Sequence, residues 1–159
     1  MIRPARSEEI PVLSAVIGAS ITALCRADHH DDPDRIRPWV ASNSPMTLNS
    51  ILHDPAQRLF VAEPETGILA VGGIDWRHQP DGQGRIRLLF AAPEAQGKGC
   101  GRALLAALEE ELRAHGRVEA RLTATNTALA FYRSQGWQMD DRAGGGGWLL
   151  GHPLRKRLI

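Results

Sequence analysis

The sequence lacks the features that would mark a disulfide-stabilised, membrane-spanning or nucleic-acid-binding protein. It has two cysteines, Cys25 and Cys100, without metal-site spacing, and we expect free thiols in a cytoplasmic protein. Basic and acidic residues nearly balance at a net charge of +1, so we expect neither nucleic acid nor a membrane surface as a partner. No apolar run approaches the roughly 18 residues of a membrane span, and we expect no signal peptide because Arg3, Arg6, Glu8 and Glu9 interrupt the start.

Aromatic residues are also scarce, at 5% of the chain, and Tyr132 is the single tyrosine. The remaining composition, 43% hydrophobic and 23% charged, is that of an ordinary globular protein. A chain of 159 residues can bury about two-thirds of its unfolded surface in one core. Because the sequence shows no repeat or linker, we predict a single domain over residues 1–159.

A glycine-rich segment between an apolar strand and an amphipathic helix is the most informative stretch. Residues 88–105 read LLFAAPEAQGKGCGRALL, and the glycines allow a ligand to approach the backbone closely. The first N–H groups of the helix lack internal partners, and the helix dipole favours negative charge there by about 0.3–2 kcal/mol. Lys98 and Arg102 add positive charge. The segment therefore predicts a bound anion, and we infer a pyrophosphate.

The spacing of this segment excludes two common phosphate-binding loops. A nucleotide P-loop needs Ser or Thr after its lysine, whereas Gly99 follows Lys98. The dinucleotide fingerprint G-x-G-x-x-G needs a third glycine where this chain has Arg102. What remains is the pattern Q-x-x-G-x-G at Gln96, Gly99 and Gly101. This pattern resembles the acyl-coenzyme A loop of the GNAT superfamily of N-acetyltransferases.

A second segment strengthens the resemblance to the GNAT superfamily. Residues 125–137 read TNTALAFYRSQGW. Their order is similar to that of GNAT proteins at six positions, Asn126, Ala130, Phe131, Tyr132, Gly136 and Trp137. The two segments are in the family's order, a helix and a strand apart, and the stretch that contains them spans about a third of the chain.

The resemblance implies an α+β fold of three layers, with a central, mostly antiparallel mixed sheet, splayed strands and helices on both faces. It also implies acetyl-CoA as co-substrate. The implied coenzyme-binding residues are Phe90, Ala91, Ala92, Gln96, Gly97, Lys98, Gly99, Cys100, Gly101, Arg102, Asn126 and Tyr132. In the family, backbone N–H groups near Ala91 and Ala92 polarise the acetyl carbonyl, and Asn126 hydrogen-bonds the pantetheine arm. A simple helix N-cap is the alternative role for Asn126.

Apolar periodicity predicts the elements around these segments. In the first half we expect a strand at 2–5, a helix from Ser7 to about Ala27, short helices at 34–40 and 45–53, and a hairpin of strands 59–62 and 68–76. In the second half we expect strands at 85–91 and 118–124, a helix between them that ends near His115, a short helix that ends at Gly136, and a terminal hairpin of 137–142 and 148–154 around the glycines at 144–147.

Three local features of these elements carry further expectations. Leu89 breaks the alternation of strand 85–91, and in the GNAT family a bulge near this point splays two strands apart. We expect the glutamates at 109–111 to form a solvated helix face. We also expect the basic cluster at 155–157 to lie in solvent.

Acetyl transfer to an amine needs a free amine and an acid for the leaving thiolate. Freeing an amine of pKa near 10.4 at pH 7 costs about 4–5 kcal/mol. GNAT enzymes place a tyrosine acid at the position of Tyr132, a contribution of about 10²–10⁴-fold, and a core aromatic is the alternative role. Some GNAT enzymes carry a glutamate that acts as the general base on the strand that corresponds to 85–90, but this strand contains no glutamate. Glu63, Asp75 and His78 are the candidate bases, and a water relay is equally open.

The ionisable segment Asp28–Asp34 is a candidate acceptor site. In GNAT proteins the connection between the first two helices lines the acceptor pocket, and four aspartates there would attract a cationic amine such as a polyamine or aminoglycoside. The candidate substrate-binding residues are Asp28, His29 and Asp31, against the alternative of a solvated loop in which Asp34 caps the next helix. Adjacent residues on one loop rarely converge on an ion, so we predict no metal.

These inferences predict an acetyl-CoA-dependent N-acetyltransferase that moves the acetyl group directly to a primary amine, on a small molecule in preference to a protein. No covalent acyl-enzyme is needed, since Cys100 lies in the phosphate loop. The alternative is a catalytically silent acyl-CoA-binding regulatory module, against which the retained Tyr132 argues. The terminal hairpin offers an edge to a second copy, so a homodimer stays open.

Overall fold

The computed structural model describes residues 1–77, 82–141 and 151–159, and this part of the chain folds as seven strands and six α-helices. The strands are β1 (Ile2–Pro4), β2 (Gln57–Ala62), β3 (Ala70–Asp75), β4 (Gln83–Ala91), β5 (Glu119–Ala124), β6 (Gln138–Met139) and β7 (His152–Arg157). The helices are α1 (Ile10–Leu24), α2 (Arg26–His29), α3 (Pro33–Ala41), α4 (Pro45–His53), α5 (Cys100–Ala114) and α6 (Leu129–Ser134), with 3₁₀ turns at Ser7–Glu9 and Pro93–Ala95.

The strands form one sheet in the order β1-β2-β3-β4-β5-β7-β6. The β4–β5 pair is parallel and the other described neighbours are antiparallel. Helices pack on both faces, so the predicted α+β fold with a mostly antiparallel mixed sheet is confirmed. The N-terminal half of the chain, which ends its part of the sheet with β4, meets the C-terminal half at β5.

Helix α5 covers one face because its leucines recur at helical spacing. Leu104, Leu105, Leu108 and Leu112 are at most 1% exposed, and each buried leucine contributes about 1.5–3 kcal/mol. The helix lies so close to the sheet that a Cβ at Gly72 would be 2.8 Å from a methyl carbon of Leu108.

One glutamate of α5 is buried, so the expected solvated face is wrong at Glu109. Trp137 Nε1 donates to its Oε2 at 3.2 Å, and Lys156 Nζ lies 2.7 Å from its Oε1. The ion pair also corrects the expectation that residues 155–157 are merely solvated, since Lys156 ties β7 to α5. The pairing compensates the charge that burial would otherwise penalise.

Helix α1 covers the opposite face, with Leu13, Ile17 and Ile21 fully buried. By length and composition alone, the segment Ser7–Leu24 could cross a membrane, although Glu8 and Glu9 interrupt its apolar character as expected. Its apolar side chains pack against the sheet together with α3 and α4, which is the pattern of a core helix.

Several predicted boundaries need correction in the N-terminal half. The helix expected over 7–27 is a 3₁₀ turn, α1 and the separate α2. His30 and Asp31 follow with positive φ, and this left-handed turn separates α2 from α3. Asp32 caps α3 by accepting the N–H of Asp34 at 2.9 Å, so the cap is not Asp34.

The C-terminal half follows the expected order with shifted ends. The expected hairpin pairs β6 with β7, and β7 lies between β5 and β6. The second strand is His152–Arg157 in place of 148–154. The glycine turn expected at 144–147 lies outside the described residues.

Candidate functional site

A wedge opens between β4 and β5, which are paired over three residues each. Gln83–Arg85 pair with Glu119–Arg121, and beyond this point β5 pairs with β7 while β4 keeps β3 as its partner. The predicted splayed strands are therefore present. The wedge leads into a cavity of about 530 Å³, which is within the usual range for a small-molecule site.

The cavity is built from both halves of the chain. Its described lining comes from α1 to α4, both strands of the wedge and α6. Strand β4 contributes Arg85 through Ala91, and Tyr132 enters from α6. The helical side presents Cys25, Asp28 and Trp39, so it combines a thiol, a carboxylate and an aromatic ring.

Every second residue of β4 directs its backbone N–H group towards the wedge. Ala92 N donates to Leu69 O at 2.8 Å, and Ala91 is paired with Ala70. Because facing residues of an antiparallel ladder alternate between bonded and non-bonded pairs, the N–H groups of Leu89 and Ala91 point away from β3. The implied carbonyl-polarising group can thus be Ala91 or Leu89, but Ala92 has its N–H engaged.

A β-bulge re-aims the strand just before these groups. Leu88 faces Gly73 and Ile86 faces Ile74, so Arg87 is the extra residue. The bulge lies two residues earlier than the predicted break at Leu89. It switches the inward side chains from the α5 side at Ile86 to the α1 side at Leu88.

The glycine loop ends at the first turn of α5, as predicted. Gly97 and Gly99 have φ of 77° and 76°, and an added Cβ at either would meet open space. Helical hydrogen bonding begins with Ala103 N donating to Gly99 O, so the N–H groups of residues 100–102 have no helical acceptor. Gln96, Lys98 and Arg102 are exposed. The loop presents donors and positive charge with room for an anion beside them.

Tyr132 lies on α6, 6% exposed, with its side chain at the cavity. Its ring makes edge contacts with Phe131 and Trp137 at centroid distances of 5.3 and 6.0 Å. The hydroxyl has no hydrogen-bond partner within the described residues. Burial raises the pKa of Tyr132 above its ordinary value, so the phenol keeps its proton at neutral pH.

Asp28 joins the first half of the chain to the segment that leads into α6. Its carboxylate accepts from Asn126 N at 2.7 Å and from Thr127 N and Oγ1 at 3.1 and 2.6 Å. Asn126 Oδ1 is 2.7 Å from His152 Nε2, and the Asn126 side chain is outside the cavity lining. Asn126 is not the N-cap of α6, because that position is Ala128. Thr125 Oγ1 accepts from Ala128 N in the turn before the helix.

Other predicted site residues lie away from the cavity. Glu63 is paired with Arg3 at 2.9 Å near the sheet edge. His29 is 1% exposed, with Nε2 2.7 Å from Ile21 O, and Asp31 is exposed beside Arg26. His78 lies outside the described residues. No group of three potential metal ligands occurs in the part of the chain that the structure describes.

The acceptor side of the cavity contains residues that sequence reasoning missed. Cys25 follows α1 directly and is 6% exposed. Burial, reinforced by the charge of Asp28, raises the pKa of Cys25 to about 11. A hydrogen bond with Thr127 acts in the opposite direction but is the smaller effect. Trp39 lies within the helical periodicity of α3, which indicated burial but not cavity lining.

Comparison with known proteins was made by sequence and by structure. The sequence profile of the acetyltransferase (GNAT) domain matches residues 28–158. The comparison with curated proteins gave no match. Among solved structures, PaiA N-acetyltransferase from Thermoplasma acidophilum in complex with coenzyme A has a TM-score of 0.80 at 18% identity, covering 99% of this chain and 98% of that chain.

Two further structures share the fold. An aminoglycoside 6'-N-acetyltransferase complexed with coenzyme A has a TM-score of 0.71 at 12% identity, covering 100% of this chain and 97% of that chain. A ribosomal-protein-alanine N-acetyltransferase from Brucella melitensis has a TM-score of 0.62 at 22% identity, covering 99% of both chains. The profile match extends over most of the sequence, and the chain therefore belongs to the GNAT family of acetyltransferases.

Proposed function

We propose that this protein is an acetyl-CoA-dependent N-acetyltransferase that moves the acetyl group directly to a primary amine on a small molecule. The observation that carries the proposal is the wedge beside β4. Its backbone donors at Leu89 and Ala91 and the Tyr132 hydroxyl serve one cavity. Two GNAT structures similar in fold hold coenzyme A, which supports this choice of co-substrate.

The glycine loop would hold the pyrophosphate of coenzyme A. The donors of residues 100–102 and the left-handed glycines Gly97 and Gly99 fit a bulky anion, and Lys98 and Arg102 add charge. The pantetheine arm would then follow the wedge, where the open edge of β4 offers paired donors and acceptors as a strand would. Asn126 contributes from the rim, through its amide nitrogen, because its oxygen already contacts His152.

The transfer itself needs few protein groups. The free amine attacks the thioester carbon, and the carbonyl oxygen gains charge that the N–H of Leu89 or Ala91 stabilises. As the C–S bond breaks, Tyr132 first donates a hydrogen bond to the developing thiolate. The proton follows to the sulfur as Tyr132 regains one from water, which takes the proton that the nitrogen loses. No described lining residue is a glutamate or histidine, so we favour water over Glu63 or His78 as the proton acceptor.

Direct transfer is preferred to an acyl-enzyme although a thiol lines the cavity. A cysteine attacks as the thiolate, and the raised pKa of Cys25, about 11, keeps it protonated. Cys100 is half-buried at the start of α5, beside the pyrophosphate donors. We therefore assign neither cysteine a covalent role.

A small-molecule acceptor is favoured because α1 to α4 enclose one side of the cavity. The similar structures are divided, since one is named for an aminoglycoside and another for a ribosomal protein. The proposal also includes a cytoplasmic location, where both free cysteines would stay reduced.

The test measures free-thiol release from acetyl-CoA over a panel of amines. Release that depends on the amine supports the proposed reaction. If coenzyme A raises Tm but no amine, peptide amines included, gives release, the silent binding module takes its place. If coenzyme A also fails to raise Tm, the cofactor assignment is wrong, since a ligand at 100 times its Kd should stabilise by about 2.7 kcal/mol.

A further inference from the structure

Two guanidinium groups in the cavity have no carboxylate partner among the described residues. Arg85 and Arg87 both belong to its lining. Arg87 Nη1 donates to Gln57 Oε1 at 3.2 Å. Within residues 1–77, 82–141 and 151–159, the Arg85 side chain forms no hydrogen bond or ion pair, and neither guanidinium group has a carboxylate oxygen within 4.0 Å.

The strand register directs both guanidinium groups to the side of the sheet that α1 and α4 cover. Gln57, Asp75 and Arg85 are cross-strand neighbours, so their side chains share one face. Arg87 sits at the bulge and reaches Gln57, which brings it to that same face. The bulge thus puts two like charges on one wall.

The electrostatics of this wall show that the charge is incompletely compensated. Arg85 keeps contact with solvent, yet partial burial lowers its pKa, and the neighbouring Arg87 lowers it further, while Asp75 acts in the opposite sense. Asp75 accepts from Arg77 N at 3.2 Å, and Asp54 pairs with Arg77 at 3.1 Å. Arg77 thus binds Asp54 through its guanidinium group and Asp75 through its backbone N–H, and Asp75 offsets the charge of this wall only in part.

The carboxylate on the opposite wall is also engaged. Asp28 is the one carboxylate among the described lining residues. It accepts three hydrogen bonds from Asn126 and Thr127, which satisfy most of its capacity. These donors are neutral, so Asp28 keeps its negative charge, but few of its lone pairs remain for an ammonium group. The described lining therefore sets two guanidinium charges against one carboxylate.

We propose that the acceptor amine carries an oxyanion, a carboxylate or a phosphate, that Arg85 and Arg87 bind while its amine faces Tyr132. The inference rests on the proposed function and narrows its substrate class. Guanidinium groups match both oxyanions with paired hydrogen bonds. Arg87 and Ala91 are four residues apart, about 13 Å along a strand, so a spacer separates the oxyanion from the amine.

The experiment compares matched acceptors that differ in the oxyanion alone. One series is ω-amino acids of increasing chain length, a second is aminoalkyl phosphates, and the control series is alkylamines and ω-amino amides of equal length. We expect kcat/KM to be about tenfold or more higher for the best oxyanion-bearing amine than for its neutral match. The two oxyanion series identify which group the site prefers.

The variant is Arg85→Gln/Arg87→Gln, with Arg37→Gln as the matched control. Arg37 is exposed and pairs with Asp34 at 3.1 Å, outside the cavity. The double variant should raise KM for the oxyanion-bearing amine to that of the neutral match and leave the neutral amine unchanged, whereas Arg37→Gln should change neither. Equal Tm values for the variants confirm that they are folded.

The outcomes separate this inference from the proposed function. Turnover with no preference for an oxyanion, or a preference for diamines, overturns the inference and keeps the acetyltransferase. If no amine reacts, the proposed function fails, and binding decides the inference separately. In that case the ω-amino acid, with coenzyme A present, should still raise the Tm of the wild type and not of the double variant. No shift in the wild type rejects the site.

Discussion

Replacing Tyr132 by phenylalanine tests the chemistry with little disturbance of the fold. The hydroxyl has no partner among the described residues, so its loss leaves no orphaned donor or acceptor there. Phenylalanine keeps the ring contacts with Phe131 and Trp137. We therefore expect Tyr132→Phe to keep its Tm and its affinity for coenzyme A while losing turnover.

The size of the expected loss in kcat follows from the pKa of Tyr132. Burial holds the pKa of the phenol above its ordinary value, whereas a thiol titrates near pH 8.5. Complete proton transfer to the thiolate is therefore uphill, and most of the benefit comes from a hydrogen bond to the developing negative charge. Removing one such donor costs about 10²–10³-fold in kcat, or about 2.7–4 kcal/mol. We expect this part of the general-acid range and not its upper end.

The assay is steady-state thiol release, with pH dependence as a second readout. Because the raised pKa keeps Tyr132 protonated, wild-type kcat/KM should rise with pH as the amine deprotonates and show no falling limb below about pH 10. A kcat within twofold of wild type in Tyr132→Phe would refute the acid role. A falling limb near neutral pH would point to a different acid.

Three further outcomes follow from the described contacts. Glu109→Ala leaves the half-buried Lys156 without its carboxylate and Trp137 Nε1 without its acceptor, so denaturant unfolding should show a loss of about 1–3 kcal/mol, and an unchanged free energy of unfolding would contradict that. Gly99→Ala imposes a Cβ at φ 76°, a strain of about 1–2 kcal/mol. It should weaken coenzyme A binding in calorimetry, and unchanged affinity would remove the loop from the site. Arg3 lowers the pKa of Glu9, so Glu9 stabilises the fold above its unfolded pKa and loses that effect as pH falls through the folded value. The Tm gap between wild type and Glu9→Gln should accordingly close in acid, and a constant gap would be inconsistent with the pair.

The parts of the fold that were predictable are those encoded by short-range patterns. The leucines of α5 follow a helical period. The glycines at 97 and 99 predict the left-handed backbone that precedes the helix. These signals depend on neighbours within one or two turns, which a sequence displays directly. The position of Tyr132 beside the cavity was also predictable, because its motif lies within one short segment.

Other features depend on contacts between distant residues and were missed. Glu109 looks like its neighbours Glu110 and Glu111 in sequence, and its burial requires Trp137 and Lys156, which are 28 and 47 positions away. The bulge at Arg87 is equally invisible, since it is defined by the register with β3. The apolar alternation within β4 indicates that the strand is irregular but does not show at which residue the bulge lies.

The two halves of the candidate site differ in the same way. The coenzyme half is a contiguous loop whose backbone supplies the donors, so its chemistry is fixed by glycine spacing. The acceptor half takes single residues from separate elements, and the free charge there depends on which carboxylates are already engaged. Four aspartates in one segment predicted a cationic ligand, yet Asp28 bonds to Thr127 while the Arg85 guanidinium forms no hydrogen bond or ion pair among the described residues. A ligand's sign follows from charges left uncompensated after folding, and these cannot be counted until the tertiary pairs are known.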